Sequence, residues 1–288
     1  MSRAPRVVVV GDVALDVLVS PGRPVVPGAD VPAAIRTGAG GAGANTAVWL
    51  ARLGAEVTMV GRVGDDPAGR AAARDLADAG VRPVLAVDAG APTCTVVVLL
   101  GDGERTMLSD RGAAARLSPD DLPDLDGVDH LHLSGYVLLD ESSRAAGRVA
   151  LAAAAERGLS RSVDPQAAPG LTGEFRHWVR GVDLLLPNAD ELAALGPDPL
   201  VPGVGAVAAT RGAAGATWED ADGVWAVPAP SAEVVDPTGA GDAFDAGLLV
   251  AWLTGAGPME ALRAGCGAGA AAVATFGARP PPSSTGLP

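Results

Sequence analysis

Short valine-rich runs alternate with longer Ala-, Leu- and Arg-rich segments along most of this 288-residue chain. The apolar runs that we expect to form strands are Val7–Gly11, Val57–Val63, His130–Leu133, Arg161–Asp164, Asp183–Leu186 and Gly205–Ala209. The segments with a helical spacing of apolar residues are Ala44–Leu53, Pro67–Ala79, Glu141–Arg157, Ala189–Leu195, Ala240–Leu253 and Pro258–Thr275. Apolar strands that alternate with helices are typical of βαβ units around a buried parallel sheet. The sequence therefore predicts an α/β fold, a three-layer α/β/α sandwich with a mostly parallel central sheet.

Two segments depart from this alternation. Leu18–Thr37 is rich in Pro and Gly and lacks a helical period, and Cys94–Leu108 has the pattern of a hairpin with Gly101-Asp102-Gly103 at its turn. We expect regions of about 18–38 and 94–110 to pair as a small β-sheet that acts as a lid. A surface hairpin without a function is the alternative. Neither an internal repeat nor a long linker divides the chain, so residues 1–288 are predicted to form one domain that carries this lid.

The charge balance restricts the partners. The chain has 34 acidic residues against 21 basic ones, a formal net charge of −13, and all of the basic residues are Arg. An acidic surface repels nucleic-acid phosphates and anionic lipids, so we expect neither nucleic acid nor membrane as a partner. An anionic ligand would have to be held locally, by helix N-termini, backbone amides, single Arg residues or a metal. A chain without Lys also cannot form a Walker-type phosphate loop.

Cysteine use and hydropathy favour a cytoplasmic protein. Cys94 and Cys266 are far apart, and together with three His residues they show no zinc-ligand spacing. Asp12 and Asp16 interrupt the N-terminal apolar run too early for a signal peptide. The longest uncharged stretches, Ala246–Met259 and Cys266–Ala278, are shorter than the roughly 18 apolar residues of a membrane span.

The segment from Asp236 to Asp242, Asp-Pro-Thr-Gly-Ala-Gly-Asp, is the strongest local motif. It ends where a helix is predicted to begin, so the amides of Gly239, Ala240 and Gly241 would point at one place and form an anion hole. Asp242 would lie beside a bound anion and could take a proton from an attacking hydroxyl. The alternative is an ordinary acidic residue at a helix N-terminus, preceded by glycines that only make a turn.

A second glycine-rich segment runs from Gly38 to Asn45 and leads into a helix. No apolar strand directly precedes it and no acidic residue follows at the expected distance, so a dinucleotide-binding fingerprint is disfavoured. We expect Gly40 and Gly41 to clear space for a small polyol, with Asn45 offering a donor and an acceptor to its hydroxyls.

Five motifs in this order resemble the ribokinase-like (PfkB) family of carbohydrate and nucleoside kinases, over nearly the whole chain. They are Gly11-Asp12 with Asp16, Gly40–Asn45 with Leu53–Gly69, Leu186–Glu191, Thr210–Gly215 and Asp236–Asp242. The resemblance implies a ribokinase-like fold and the transfer of the γ-phosphoryl group of ATP to a sugar hydroxyl, with Mg²⁺ as cofactor and, as in some members, K⁺. A homodimer formed through the lid is also implied, because pairing would cover the edge of a small sheet.

The resemblance also implies a role for each matching residue. Asp242 would be the general base, and Gly239, Ala240 and Gly241 would form the anion hole. The acceptor would be held by Asp12, Asp16, Gly40, Gly41 and Asn45. ATP would be bound by Asn188, Thr210, Arg211, Gly212, Gly215 and Cys266. Glu191 would place Mg²⁺ through water, and Asp236 and Thr238 would supply a K⁺ site.

Three positions depart from the family pattern. Gly196–Gly203 is full of Pro and Gly, so the helix that the family usually carries there is expected to be trimmed or missing. Gln166 stands where many relatives have Asn. Cys266 stands where relatives often have Asn beside the adenine, and a small buried Cys in a tight helix contact is the alternative reading.

The acceptor is less constrained than the reaction. Carboxylates at Asp12 and Asp16 favour a neutral sugar such as ribose or a related pentose or hexose, because they accept hydrogen bonds from several hydroxyls. Arg111 favours a sugar acid of the 2-keto-3-deoxygluconate type, although it could instead pair with acidic residues of the protein. A nucleoside ranks third, since aromatic residues make up only 3% of the chain.

Two other classes are weaker readings. A regulatory protein that binds a nucleotide without turnover would have little need of Asp242. A hydrolase built on His132 and Ser134 lacks the G-x-S-x-G turn that would expose its nucleophile.

Overall fold

A computed structural model describes residues 3–101, 104–196 and 203–281. A nine-stranded sheet forms its centre, in the order β13-β12-β11-β10-β9-β8-β1-β4-β5, and a second sheet has the order β3-β2-β6-β7. The strands are β1 Arg6–Val10, β2 Ala14–Pro21, β3 Ala33–Gly40, β4 Glu56–Gly64, β5 Arg82–Asp88, β6 Cys94–Gly101, β7 Glu104–Asp110, β8 His130–Ser134, β9 Ser160–Asp164, β10 Leu184–Leu185, β11 Ala206–Thr210, β12 Ala216–Asp220 and β13 Gly223–Val227. From β5 to β11 the large sheet is parallel, and β12 and β13 extend it antiparallel.

Helices cover both faces of the large sheet. They are α1 Ala42–Arg52, α2 Pro67–Asp78, α3 Tyr136–Leu139, α4 Arg144–Glu156, α5 Gly173–Trp178, α6 Ala189–Leu195, α7 Ala240–Leu253 and α8 Pro258–Val273. Strand β1 shows why both faces are buried: Val7 and Val9 pack with α1, α7 and α8, whereas Val8 and Val10 pack with α4 and α5 on the other side. Alternate side chains of a strand point to opposite faces, so a continuous valine run supplies two cores. The predicted three-layer α/β/α sandwich is confirmed.

The small sheet stands beside the carboxyl end of β1, where the chain leaves the large sheet and enters β2. Its two central strands, β2 and β6, pair parallel, and β3 and β7 lie antiparallel at the edges. It begins at Ala14 rather than at residue 18 as expected, so Asp16 lies on one of its strands. The turn residues 102 and 103 lie outside the described residues.

Most predicted elements of the main sheet are present, with shifted ends. The helix expected from Glu141 begins at Arg144, after the separate short helix α3. Strands β5, β12 and β13 and helix α5 were not predicted. Residues 197–202, which fall in the region expected to lack a family helix, lie outside the described residues. No helix in the described ranges has the length and apolarity needed to cross a membrane.

Candidate active site

The carboxyl ends of the parallel strands open into a cleft of about 600 Å³ between the small sheet and the N-terminus of α7. Loops at this edge are the usual ligand site of an open parallel sheet. The residues that line the cleft from successive strand ends are Asp12 after β1, Tyr136 after β8, Asp164 on β9, Asn188 after β10 and Thr210 on β11. The topology thus brings together residues that are far apart in the sequence.

Helix α7 directs its N-terminus into this cleft. Gly239 caps the helix with a left-handed backbone (φ 76°), and a Cβ at this position would lie 2.5 Å from the carbonyl oxygen of Ala278. Both the backbone conformation and the close packing therefore require glycine. Gly239, Ala240 and Gly241 all line the cleft. The amide of Ala240 donates a long hydrogen bond to the carbonyl of Pro237 (3.4 Å), and amides at the start of a helix can bind an anion.

Asp242 lies in the same first turn and is buried. Its Oδ2 accepts a hydrogen bond of 2.9 Å from Nδ2 of Asn45 on α1. Burial raises the pKa of Asp242 to about 7; the hydrogen bond from Asn45 opposes this shift, and the nearby Asp12 and Asp16 carboxylates add to it. A carboxylate that titrates near neutral pH is suited to accept a proton from a hydroxyl.

Asp12, after β1, and Asp16, on β2, line the side of the cleft next to the small sheet. Asp12 accepts hydrogen bonds from the amide of Ala42 (3.2 Å) and from the hydroxyl of Ser134 (3.1 Å), so it also holds the start of α1. Burial raises the pKa of Asp16 to about 6, against the lowering effect of Arg279. Gly40 lies behind Asp16, because a Cβ at this position would overlap the Asp16 carboxylate.

Gly41 is the N-cap of α1 and has a φ of 91°. A Cβ there would lie 2.6 Å from the carbonyl oxygen of Asp12, so this glycine lets the helix begin directly against the end of β1. The space that Gly40 and Gly41 leave is thus occupied by the Asp16 carboxylate and the Asp12 backbone, and their expected role toward a polyol stays a prediction.

Arg111 enters the cleft from the end of the small sheet. Its guanidinium lies over the ring of Tyr136 at 4.8 Å and is 3.8 Å from carboxylate oxygens of Asp12 and Asp140. These contacts are longer than charge-assisted hydrogen bonds, and the buried Nη2 atom has no hydrogen-bond partner. The Arg111 guanidinium can therefore still donate a hydrogen bond to a ligand.

Asn188 and Glu191 form a capping box at the start of α6. The Asn188 side chain accepts from the backbone amide of Glu191 (2.9 Å), and the Glu191 carboxylate accepts from the backbone amide (2.9 Å) and side-chain amide (2.7 Å) of Asn188. Burial raises the pKa of Glu191 to about 7, opposed by these hydrogen bonds. The N-x-x-E motif therefore places a carboxylate at the cleft wall by local helix geometry.

Two further carboxylates, Asp164 and Asp245, were missed by the sequence reasoning. Both line the cleft, and burial raises the pKa of each well above its usual range, reinforced by neighbouring carboxylates. The buried Oδ2 of Asp245 has no hydrogen-bond partner. With Glu191 these groups give hard oxygen donors whose mutual repulsion a cation would relieve, so they fit a hydrated Mg²⁺. No group of three His, Cys, Asp or Glu residues that could hold a metal ion occurs in the described ranges.

The remaining predicted residues divide into two sets. Thr210, Gly212 and Thr238 line the cleft, whereas Arg211, Gly215, Asp236 and Cys266 are not among the described residues that do. Gly215 (φ 96°) closes a tight turn in which Arg211 donates its backbone N–H to the carbonyl of Gly215 (2.8 Å). Cys266 is buried within the apolar core that α8 shares with α7. The adenine contact expected of Cys266 stays a prediction.

Asp236 supports the loop that precedes α7. Its carboxylate accepts from the backbone amides of Thr238 (2.9 Å) and Gly277 (3.0 Å), which ties the loop to the C-terminal segment. Each oxygen of the Asp236 carboxylate thus accepts a hydrogen bond from a backbone N–H.

His132 is not placed as a catalytic base. It is buried in β8 beside Ser162 (2.8 Å), and burial lowers its pKa to about 4, while Ser134 donates its hydroxyl to Asp12. The geometry of a Ser/His hydrolase is absent from these residues.

The raised pKa of Asp242 predicts a stability change. The native state holds this proton up to pH 7, whereas the unfolded chain releases it near pH 4, so burying the carboxylate costs stability as the pH rises between these values. Asp242→Asn should therefore raise the free energy of unfolding at pH 8 by on the order of 2 to 4 kcal/mol, with the gain vanishing near pH 4. Thermal unfolding of both proteins across this range, without nucleotide or Mg²⁺, measures it; equal stabilities at pH 8 would contradict it.

Fold and cleft together define an α/β protein with a helix N-terminus and a buried carboxylate in a cleft at the carboxyl edge of its sheet. A candidate Ribokinase II of Escherichia coli, in complex with ATP and Mg²⁺, superposes with a TM-score of 0.85 at 25% identity, over 95% of this chain and 94% of that one. The model of the pfkB family carbohydrate kinases matches residues 4–285. The chain belongs to this family, whose members are phosphotransferases.

Two relatives are similar over most of their length. The ATP-dependent ribose-1-phosphate kinase of Halopiger xanaduensis is 33% identical over 97% of this chain and 95% of its own. A fructokinase of Klebsiella pneumoniae is 38% identical over 73% of this chain and 75% of its own. The chain is thus similar to kinases that differ in their acceptors.

Proposed function

We propose that this protein transfers the γ-phosphoryl group of ATP to a hydroxyl of a small sugar, with Asp242 as general base. The observation that carries the proposal is the placement of a buried carboxylate, held by Asn45 at 2.9 Å, in the first turn of a helix whose N-terminal amides face the same cleft. This placement supports a base and an oxyanion site around one point, as in-line phosphoryl transfer requires.

The proposed transfer forms one bond and breaks another, and each group has a partner in the site. The acceptor oxygen forms a bond to the γ-phosphorus, the bond from that phosphorus to the β-phosphate oxygen breaks, and ADP leaves. Asp242 takes the hydroxyl proton, while the amides of Gly239, Ala240 and Gly241 stabilise the charge on the transferred group. Glu191, with Asp164 and Asp245, would hold Mg²⁺ through water, and this ion neutralises phosphate charge. We include K⁺ in the proposal through backbone oxygens near Asp236 and Thr238.

The cleft walls favour a neutral sugar such as ribose or a related pentose or hexose. Asp12 and Asp16 supply acceptors for its hydroxyls, and Asn45 is engaged with Asp242. A second candidate is an anionic acceptor, a sugar phosphate or a sugar acid, which Arg111 favours because its buried Nη2 has no partner. The relative named for ribose 1-phosphate supports this second candidate.

The test is ATP consumption, followed by coupled ADP release. The acceptors would be ribose, ribose 1-phosphate, fructose, 2-keto-3-deoxygluconate and adenosine, with Mg²⁺ present and K⁺ present or omitted. We expect turnover on a sugar. If the acceptor is anionic, Arg111→Gln should raise its KM about 10- to 100-fold and leave that for a neutral sugar unchanged, as expected for a lost charged hydrogen bond. Intact ATP binding without turnover on any acceptor would favour a regulatory protein over a kinase.

We further propose that the small sheet is a lid and that a second copy covers its outer face. The register places Asp16 and Val96 on the face toward the cleft, while Ile35 and Leu108 belong to the opposite, apolar face and are exposed. An exposed apolar face across four strands is typical of an interface. Sedimentation over a range of protein concentrations tests for the dimer.

A further inference from the structure

The segment that follows α8 passes between three parts of the active site. The indole N–H of Trp49 on α1 donates to the carbonyl of Ala278 (3.0 Å), and the amide of Gly277 donates to Asp236 in the loop that precedes α7 (3.0 Å). Arg36 of β3 lies over the ring of Phe276 at 5.1 Å. The segment therefore contacts α1, the loop that precedes α7 and strand β3 of the small sheet.

Arg279 ends this fixed segment and is part-buried. Its Nε donates to Oδ1 of Asn45 (3.1 Å), and its Nη2 donates to the carbonyl of Gly40 at the end of β3 (3.2 Å). Because a guanidinium only donates, the Asn45 atom that faces it must be the oxygen. The amide nitrogen of Asn45 is thereby turned toward Asp242, where it makes its 2.9 Å hydrogen bond.

The charges around Asp242 give Arg279 a second effect. Four carboxylates interact with Asp242: Asp12 after β1, Asp16 on β2, Asp164 on β9 and Asp245, which lies on α7 like Asp242 itself. Asp12 and Asp16 raise the pKa of Asp242, and Asp242 in turn raises the pKa of Asp164 and Asp245. Arg279 supplies the opposite charge and lowers the pKa of both Asp242 and Asp16. Its own surroundings include Asp75 of α2 as well as these two carboxylates.

We propose that Arg279 is a positioning residue for phosphoryl transfer: through Asn45 it orients the Asp242 carboxylate, and through Gly40 it links this base to the strand behind the acceptor. The inference rests on the proposed function of Asp242. Arg279 is not among the described residues that line the cleft. It acts by fixing which end of the Asn45 amide meets the base, and by keeping the base ionised among like charges.

The test compares pH profiles of kcat and kcat/KM for the purified protein and three variants. Arg279→Gln should lower kcat about 10- to 100-fold and move the acid limb of kcat/KM to higher pH by about one unit, since an opposing charge is lost. Arg279→Lys keeps the positive charge but loses the planar guanidinium that donates to Asn45 and Gly40 together. The acid limb of its kcat/KM profile should therefore stay near that of the unchanged protein, while kcat falls. Arg263→Gln, an exposed Arg on α8, is the matched control and should leave both unchanged.

Two results would overturn the inference. One is a lowered kcat in Arg279→Gln with an unmoved acid limb, which indicates packing alone. The other is an acid limb of kcat/KM that moves as far in Arg279→Lys as it does in Arg279→Gln. If Arg279→Gln does not fold, the Lys variant still decides, because a displaced limb contradicts the charge effect. Failure of the proposed function is distinct: the unchanged protein would then show no turnover, or Asp242→Asn would retain it.

Discussion

Replacing Asp242 by Asn should lower kcat for phosphoryl transfer about 10³-fold, within the 10² to 10⁴ range of general-base catalysis. Asn is of the same size and can accept the hydrogen bond from Asn45, so the helix N-terminus and its amides should keep their geometry. What is lost is a group that can take the hydroxyl proton. The KM values for ATP and sugar should therefore change by only a fewfold. Steady-state kinetics by coupled ADP release measure all three quantities.

Glu260→Gln is the matched control for this variant. Glu260 is also an acidic residue in the first turn of a helix, α8, but it is exposed and lies outside the cleft. It should keep kcat within about twofold, because removing an exposed charge near a helix N-terminus affects stability only slightly. A kcat in Asp242→Asn within tenfold of the unchanged protein would remove Asp242 from the role of base. Since this variant is expected to be more stable at pH 8, unfolding cannot account for its loss of activity.

The parts of the fold that the sequence predicts well are those with a local signal. Strand β1 is a run of four valines, α2 begins at Pro67 behind an Asp66 cap, and α7 follows a glycine-rich turn. Strands β5, β12 and β13 were missed because their local signals are weak. β5 contains Pro83, and β12 and β13 form an antiparallel extension whose exposed side chains break the apolar run. Their pairing comes from the neighbouring sheet rather than from their own residues.

Residues of the candidate site were likewise predicted where they have a local sequence signal and missed where they do not. Asp242 and the Asn188–Glu191 pair are predicted because each is defined within one turn of a helix. Arg279 was missed because its contact with Asn45 spans 234 residues, and no local sequence pattern predicts a contact of that range. A signal does exist: Arg279 is the one charged residue after Arg263 in the sequence. An isolated charge in such an apolar, glycine-rich stretch needs a partner, and the acidic motifs upstream supply it.

Gly40→Ala should have the second-largest effect, on the acceptor alone. The added methyl would overlap the Asp16 carboxylate, which has to rotate out of the side of the cleft next to the small sheet. Losing its charged hydrogen bonds to the sugar corresponds to a 10- to 100-fold fall in kcat/KM for the acceptor, from the roughly 1.5 to 3 kcal/mol of such bonds. The KM for ATP should not change, because Asn188 and Thr210, the residues expected to bind the nucleotide, lie at the ends of other strands, β10 and β11.

Gly38→Ala provides the control on the same strand. Gly38 pairs directly with Asp16 across β2 and β3, yet a Cβ there meets no atom within 4 Å. Both variants lower backbone freedom in β3 equally, so a general effect of glycine replacement cancels between them. Only overlap with Asp16 differs. If both variants reduce kcat/KM alike, the stiffness of the small sheet controls binding; if neither does, Asp16 does not hold the acceptor. A loss confined to Gly40→Ala assigns the effect to Asp16, because it is the side chain that the added methyl displaces.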